Sequence, residues 1–405
     1  MNICNYYGLT QTMKKVKLLS SEYSAYRDDI LKIFIEKILK KPSIILDPMA
    51  GTAPLIPFIE LNGHVAYFND ILPLHFFINK AKTYQVFQDY QTHGYDWYNQ
   101  KLLDCMAPLE GKAFCISDKW INEGVMHGLI QAWHATERYD EDSATLLKAL
   151  ILLCVRPFSS ITPSGNPTWV KRGGVSSSKD LEVIIRESVT KFDGYYHYHY
   201  ASSRLKRRGK CIFTNQNATE LDLPQKVDFI LTSPPYCNRI DPLVLYGPEI
   251  YFLSVLGYNI TEKNMISIPK VRGYNRLTLD LEYLITNSES ACRLLTHIQN
   301  SDEKDDPNYY LKYYTRYFAL LYQVIDQVLN NLSPTGKMYI VTQDNMHRGQ
   351  LIEIDKILRE LLRAKGWSSK LIHKWPQHHM GLRNVSRQYA FVKPKHWEKL
   401  VVIHR

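Results

Sequence analysis

The residues best suited to chemistry are four consecutive ones, Ser233-Pro234-Pro235-Tyr236, which directly follow an apolar run at 227–232. That run predicts a strand, and two prolines prevent a regular strand or helix from continuing, because they lack N–H groups and have a fixed φ. The stiff, extended backbone leaves a carbonyl at Ser233 or Pro234 as an acceptor, with a hydroxyl before it and an aromatic ring after it. This order predicts a cradle for a flat group that carries an NH2. The alternative is a Pro-Pro turn that only closes the strand.

These four residues resemble the catalytic motif of the amino-group methyltransferases, in which the first residue is Asp, Asn or Ser and the last is aromatic. Such enzymes methylate an exocyclic nitrogen of a base with S-adenosylmethionine. The resemblance implies that Ser233 and the Pro234 carbonyl accept the two amine hydrogens where charge develops in the transition state. Pro235 would complete the motif, and Tyr236 would stack on the base. Ser in the first position is the form usual for cytosine, whereas Asp is usual for adenine.

A second segment with chemical potential is the loop 47–53, which follows a predicted strand at 43–46 and precedes a helix-like run that reaches Gly63. A further strand at 65–68 ends in Asn69-Asp70. This order is typical of the opening half of a doubly wound sheet: a strand, a small-residue loop, a helix, a second strand and an acid. Gly51 is the only glycine of the loop, so the glycine pattern of a dinucleotide-dependent oxidoreductase is missing.

The loop also resembles the cofactor loop of the amino-group methyltransferases, whose pattern is Asp-Pro-Phe-x-Gly-x-Gly. Met49 replaces the Phe and Ala53 replaces the second Gly. The resemblance implies that Asp47 lies near the amino-acid end of S-adenosylmethionine, that Asp70 accepts from its ribose, and that Asn217 holds its adenine. A solvated acid at a strand end is the alternative for Asp70. The implied cofactor-binding residues are Asp47, Pro48, Met49, Ala50, Gly51, Thr52, Asp70 and Asn217.

Basic segments suggest where a polyanion would bind. The chain carries a net charge of +10 with a pI near 9.0, which favours nucleic acid and is also compatible with solubility alone. The segment 156–174 mixes polar donors with basic residues and a Trp, and a basic cluster at 204–210 follows an aromatic run at 195–200. A surface loop with incidental charge is the alternative for both. The predicted DNA contacts are Arg156, Ser159, Asn166, Trp169, Lys171, Arg172, Arg207, Arg208 and Arg239.

The predicted fold class is α/β, with a Rossmann-like seven-stranded methyltransferase sheet and a large, mainly helical and loop-rich insertion. Later strands are expected at 337–342, 369–375 and 388–393, the last two as a closing hairpin, with helices before 333 and at 352–364. Residues 1–75 and 205–405 would form a discontinuous catalytic domain. The insertion 76–204 would recognise the DNA target, and 255–308 is the alternative recognition element.

Other sequence features exclude several classes of protein. The seven cysteines contain no Cys-x-x-Cys pair, and the adjacent His378 and His379 cannot share a helix face, so neither disulfides nor a metal site is expected. The N-terminal residues lack the pattern of a signal peptide, and no apolar run is long enough to span a membrane. We therefore expect a cytoplasmic protein, and the resemblance implies a prokaryotic or phage one that associates with the nucleoid.

The order of the two motifs, 47–53 and then 233–236, with two strand-and-acid units between them, is the order the resemblance requires. It implies a site-specific methyltransferase that acts on the 4-amino group of cytosine in double-stranded DNA after base flipping. Such an enzyme would belong to a restriction–modification or related defence system, with a cognate restriction nuclease as a candidate partner. Two alternatives remain open: an N6-adenine DNA or RNA amino-methyltransferase, and a non-catalytic methyltransferase-like subunit that binds nucleic acid.

Overall fold

The sheet of the protein confirms the predicted α/β class. The computed structural model describes residues 28–110, 120–159, 161–162, 171–172, 180–200, 209–237, 242–258, 277–376 and 397–405. Its strands are β1 Ile44–Asp47, β2 Val65–Asn69, β3 Ile161–Thr162, β4 Lys171–Arg172, β5 Lys210–Thr214, β6 Val227–Thr232, β7 Leu332–Gln343, β8 Asn345–His347, β9 Gln350–Ile352, β10 Ser368–Pro376 and β11 Trp397–His404. Seven of them form one mostly parallel sheet in the order β10-β11-β7-β6-β1-β2-β5, as in a Rossmann-like fold. Two antiparallel ribbons, β3–β4 and β8–β9, stand apart from it.

The helices account for most of the remaining described chain. They are α1 Asp28–Ile33, α2 Ile56–Asn62, α3 Pro73–Ala81, α4 Tyr84–Met106, α5 Glu123–Ala135, α6 Glu141–Val155, α7 Leu181–His199, α8 Pro242–Leu245, α9 Gly247–Val255, α10 Leu277–Asn287, α11 Glu289–Gln299, α12 Leu311–Leu329 and α13 Ile354–Arg363. Short π-helical turns at Phe34–Ile38 and Asp306–Tyr310 follow α1 and precede α12. Both predicted insertions are helical where they are described, except for the β3–β4 ribbon. No helix in the described ranges is long and apolar enough to cross a membrane.

Two details near the end of the sheet differ from the sequence predictions. The strand that pairs with β10 is β11 at Trp397–His404, and the predicted strand 388–393 lies outside the described residues. The apolar run Leu400-Val401-Val402-Ile403 is buried between β7 and β10. The segment 333–336 was expected to separate helix from strand, but β7 already begins at Leu332, with an irregular register beside β6.

The described chain divides into two compact units, whose boundaries differ from the predicted domains. One unit comprises 1–43, 51–215 and 243–260, so it holds β2 and β5 together with α2 to α7. The other comprises 44–50, 216–242 and 261–405, and it holds β1, β6, β7, β10 and β11. Helices α3 to α7, between β2 and β5, belong to the first unit because they pack on one another and α3 also packs on β5.

Candidate active site

The candidate active site begins where β1 and β6 end, within the second unit. The two strands are parallel neighbours, with Leu46 opposite Ile230, so Asp47 and Ser233 leave the sheet at the same edge. The strand order reverses between β1 and β6, because the chain builds outward from β1 through β2 and β5 and then returns to β6. Open α/β sheets bind ligands in the crevice outside the carboxyl ends of the strands at such a reversal.

The segment Ser233-Pro234-Pro235-Tyr236 forms a rigid extended ledge after β6. Ser233 and Tyr236 are half-buried, Pro234 is buried, and Pro235 is exposed. The carbonyl of Pro235 accepts a hydrogen bond of 2.8 Å from the hydroxyl of Tyr317 on α12. Burial raises the pKa of Tyr317 well above its usual range, so this hydroxyl remains a donor. Among the residues that the structure describes, no hydrogen bond reaches the Pro234 carbonyl, which is the acceptor that the motif requires.

Tyr236 is held by its hydroxyl at two points. Its Oη donates to Oε1 of Glu398 at 2.9 Å and lies 3.2 Å from Oγ of Ser233. Glu398 is 6% exposed and lies at the start of β11. These contacts fix one end of the phenol ring, and its predicted stacking on a base stays a prediction.

The residue after the ledge is also fixed. The side-chain amide of Asn345 on β8 donates to the carbonyl of Cys237 and lies 3.3 Å from its Sγ. Burial raises the pKa of the Cys237 thiol to about 12, so the thiol stays protonated near neutral pH and is a poor nucleophile. The contacts with Asn345 fix Cys237 at the end of the ledge.

The loop after β1 is buried and tightly turned. Oδ1 of Asp47 accepts from the Met49 N–H at 3.3 Å, as in an Asx turn, and Asp47 is 2% exposed. Pro48 and Ala50 are buried as well, while Met49 is half-buried. The loop is thus close-packed, as its small residues predicted.

The rest of this loop belongs to the first unit and is fixed by polar side chains of that unit. The carbonyl of Gly51 accepts from the Asn79 amide at 2.8 Å, and the carbonyl of Thr52 accepts from the Lys82 ammonium at 2.7 Å. The Gly51 N–H donates to Oδ2 of Asp70 at 2.8 Å. Asn79 and Lys82 are both buried. Sequence reasoning missed them because helix α3 carries no motif that marks their role.

Asp70 is a structural partner of the loop, not a solvated acid. Besides the Gly51 N–H, its carboxylate accepts from the Leu72 N–H at 2.8 Å and lies 3.1 Å from Nδ1 of His75. Burial alone would raise the pKa of the Asp70 carboxyl, but the His75 imidazole and the two N–H groups together hold it below its usual value. The predicted contact with ribose stays a prediction, and it would share the carboxylate with these partners.

Replacing Asp70 by Asn should lower the free energy of unfolding at pH 7 by about 1–3 kcal/mol, because buried donors lose a charged acceptor. The folded-state pKa is depressed, so the stabilisation is present above the ordinary value of 3.8 and is lost as pH falls through the folded value. Urea unfolding across pH 2 to 7 should show that the difference in the free energy of unfolding between the wild type and Asp70→Asn decreases as the pH falls. The exposed Asp222→Asn serves as the control. A gap that stays constant with pH would contradict this account of Asp70.

Ala53 occupies the second glycine position of the cofactor-loop pattern and has a φ of +42°. A side chain in this left-handed region costs about 1–2 kcal/mol, whereas glycine at an ordinary position costs about 0.5–1 kcal/mol through chain entropy. We expect Ala53→Gly to leave the free energy of unfolding unchanged or to raise it by up to about 1 kcal/mol. Ala149→Gly, buried within α6, should lower it by about 1 kcal/mol or more. Chemical denaturation measures both, and a clear loss with Ala53→Gly would contradict the strain argument.

Asn217 lies in a turn after β5. Its Oδ1 accepts from the Thr219 N–H at 3.2 Å, and its Nδ2 lies 3.4 Å from Oε1 of Glu220. The side chain is half-buried. These local bonds explain Asn217 as a turn residue, and its predicted contact with adenine remains a prediction.

Two of the residues predicted to contact DNA form hydrogen bonds within the folded chain. Arg156 forms a two-pronged ion pair with Glu249 on α9, at 2.8 Å for each bond, and donates to the Leu245 carbonyl at 2.6 Å. Glu249 is 2% exposed, and Ser159 is equally buried, with its Oγ donating to the Arg156 carbonyl. Arg156 and Ser159 thus have partners within the chain, and their contacts with DNA stay predictions.

The other predicted DNA contacts are only partly described. Lys171 and Arg172 form β4, which pairs antiparallel with β3 in a short two-stranded ribbon. Ribbons of this kind are among the elements that enter DNA grooves. The remaining predicted contacts lie outside the described residues: Asn166, Trp169, Arg207, Arg208 and Arg239.

One group of side chains in the described ranges has the spacing of metal ligands. It consists of Asp89, His93 and Asp140 on and beside α4 and α6. Asp89 already accepts hydrogen bonds from Tyr98 and Ser143, and Asp140 caps α6 through the Asp142 and Ser143 N–H groups. These bonds account for the cluster without an ion.

No protein-family model matches the chain, and no curated protein matches it significantly. The geometry of the site therefore carries the functional conclusion.

Proposed function

We propose that the protein is an S-adenosylmethionine-dependent methyltransferase that acts on the exocyclic 4-amino group of cytosine in double-stranded DNA. The observation that carries the proposal is the ledge Ser233-Pro234-Pro235-Tyr236 at the end of β6, next to Asp47 at the end of β1. A hydroxyl and a carbonyl acceptor stand beside an anchored aromatic ring at the reversal of the sheet. The resembled family has this motif, and the seven-stranded sheet with its antiparallel closing hairpin agrees with what the resemblance implies.

The ledge supplies what an exocyclic amine needs in order to react. The nitrogen lone pair is delocalised into the ring, so the amine becomes nucleophilic only as it turns toward tetrahedral geometry. Oγ of Ser233 and the carbonyl of Pro234 would each accept one N–H, and both bonds strengthen as positive charge develops on the nitrogen. The cofactor would supply the sulfonium methyl group. When the N–C bond forms and the C–S bond breaks, the nitrogen releases one proton to solvent.

A base paired inside a duplex cannot bring its amine to this ledge. The target must be extruded, at a cost of a few kcal/mol for unstacking and unpairing. Tyr236 would offset part of this cost, because stacking of a base on an aromatic side chain contributes about 1–3 kcal/mol. The ring is half-buried and is held at its hydroxyl end.

The test is the identity of the methylated product. The protein is incubated with labelled S-adenosylmethionine and either plasmid DNA or total RNA, and the nucleic acids are digested to nucleosides. The proposal expects the label in N4-methyldeoxycytidine. Label in N6-methyladenine of DNA or RNA would favour the adenine alternative. Absence of transfer, with binding of nucleic acid retained, would favour the non-catalytic alternative.

The basic ribbon gives a separate prediction for DNA binding. We expect Lys171→Glu combined with Arg172→Glu to weaken DNA binding at least tenfold and to reduce its salt dependence, because phosphate contacts release counterions. Affinity for S-adenosylmethionine should not change. The control is an equal charge reversal at the exposed Lys365 and Lys370. Fluorescence anisotropy against salt concentration measures the effect, and equal losses in both double variants would assign it to net charge alone.

A further inference from the structure

A chain of three hydrogen-bonding groups ends at the candidate catalytic serine. Oε1 of Glu398 accepts from Oη of Tyr236 at 2.9 Å, and Oη lies 3.2 Å from Oγ of Ser233. We propose that Glu398 is a positioning residue that sets the direction of these hydrogen bonds, so that Ser233 presents only acceptor lone pairs to its substrate. This inference rests on the proposed function and extends it to the choice of substrate.

The sheet register explains why a residue so late in the chain reaches the ledge. β11 runs antiparallel to β7, so its first residues lie at the edge where the parallel strands end. Thr232 is opposite Ile340, and Glu398 is opposite Gln343. Glu398 therefore lies level with Pro235. The side chains of Tyr236 and Glu398 together bridge β7, which separates β6 from β11 by about 10 Å.

The donor and the acceptor of each of these two hydrogen bonds follow from counting the available hydrogens. The proposal takes Glu398 as ionised, in which case its carboxylate can only accept and the single hydroxyl hydrogen of Tyr236 is donated to it. Toward Ser233, the tyrosine oxygen can then act only as an acceptor. Ser233 must donate its own single hydrogen to Tyr236, which leaves the two lone pairs on Oγ for other donors.

This arrangement discriminates between bases. An exocyclic amine offers two hydrogens, which match the acceptors at Ser233 and Pro234. A base with a carbonyl in the same place, as in thymine or uracil, would bring a third oxygen against two oxygens that cannot donate. Leaving such groups unpaired in a buried site costs about 1–3 kcal/mol. We infer that Glu398 makes the ledge selective for amino bases and against keto bases.

Glu398→Gln tests the direction of the hydrogen bonds while keeping the size of the side chain. The Gln amide can donate to Oη of Tyr236, which frees the tyrosine hydrogen for Ser233 and lets the serine hydrogen turn toward the substrate. We expect kcat for methyl transfer to fall by about tenfold or more, with unchanged affinity for S-adenosylmethionine in a calorimetric titration. Tyr236→Phe removes the hydroxyl that links Glu398 to Ser233 and should lower kcat by a similar factor.

The double variant separates positioning from general stability. If Glu398 acts only through the Tyr236 hydroxyl, Glu398→Gln should add no further loss of kcat in the Tyr236→Phe background. Losses that multiply in the double variant would show that Glu398 contributes to the structure independently, and this would overturn the proposal. Unchanged kcat in Glu398→Gln alone would overturn it as well.

Neutron diffraction from deuterium-exchanged crystals of the wild-type protein tests the same inference without any activity. The proposal expects the Tyr236 deuteron between Oη and Glu398, and the Ser233 deuteron directed at Oη. A Ser233 deuteron that points elsewhere would overturn it. If the deuterons lie as expected but the wild-type protein transfers no methyl group, the hydrogen-bond direction stands and the proposed function fails.

Discussion

Ser233→Ala is expected to lower kcat for methyl transfer by about 10²–10³-fold, while the affinity for S-adenosylmethionine stays the same. In the proposed function the hydroxyl would accept one of two amine hydrogens, and this bond would strengthen in the transition state, so its loss should act on kcat more than on binding. Single-turnover rates with labelled cofactor measure the loss, and a calorimetric titration measures cofactor binding.

The matched control for this variant is Ser254→Ala. Ser254 is also half-buried, and its hydroxyl donates to the carbonyl of Tyr251 within α9. It should leave kcat within about twofold of wild type, because surface and helix substitutions of this kind change stability by only a few tenths of a kcal/mol. Full activity of Ser233→Ala would contradict the assigned role of the ledge, and equal losses in both variants would point to a general loss of folded protein.

Lys399→Met is expected to lower the free energy of unfolding by about 3–5 kcal/mol, because it leaves buried carboxylates without a counter-charge. The Lys399 ammonium lies 2.8 Å from Asp344, 2.8 Å from Asp355 and 3.3 Å from Glu353. Lys399 is 7% exposed, and both aspartates are at least as buried. Lys365→Met, which removes a surface pair with Asp326, should cost less than about 1 kcal/mol.

The same cluster should make the free energy of unfolding depend on pH in the alkaline range. Burial alone would lower the pKa of Lys399, but the carboxylates of Asp344 and Asp355 raise it above its ordinary value of 10.5. The stabilisation is therefore fully present below pH 10.5 and is lost as pH rises through the folded value. Guanidinium unfolding at pH 7 measures the loss with Lys399→Met, and the same experiment above pH 10.5 measures the onset of the alkaline loss. A loss under 1 kcal/mol with Lys399→Met at pH 7 would show that the carboxylates find other partners.

Lys399 also bears on the candidate site through its neighbour. Successive residues of a strand point to opposite faces of the sheet, so Lys399 and Glu398 anchor the start of β11 on opposite sides. The Lys399 cluster fixes the strand from one face, and Glu398 reaches Tyr236 from the other. The start of the closing strand is therefore held on both sides by two adjacent residues.

The parts of the fold that the sequence predicted correctly depend on local signals. The apolar runs of β1, β2 and β6 are bounded by acids, glycine or proline, and such boundaries can be read without knowledge of distant residues. The ledge itself was predictable for the same reason, because two prolines restrict the backbone wherever they occur.

The supporting residues were not predictable, because they come from distant parts of the chain. Tyr317, Asn345 and Glu398 reach the ledge only through helix packing and sheet register. One signal was present: Glu398 and Lys399 are charged residues at the start of an otherwise apolar run, which suggests buried partners. The ion pair of Arg156 was not predictable either, because its buried partner Glu249 lies in a distant helix, and its contact with DNA stays a prediction.

The most direct test of the central claim is a crystal structure of the protein with S-adenosylhomocysteine and a DNA duplex that contains the methylated target mapped from product analysis. The account predicts an extruded cytosine stacked on Tyr236, with its amine within about 3.2 Å of both Ser233 Oγ and the Pro234 carbonyl. A cytosine that stays paired in the duplex, or one bound away from the ends of β1 and β6, would contradict it.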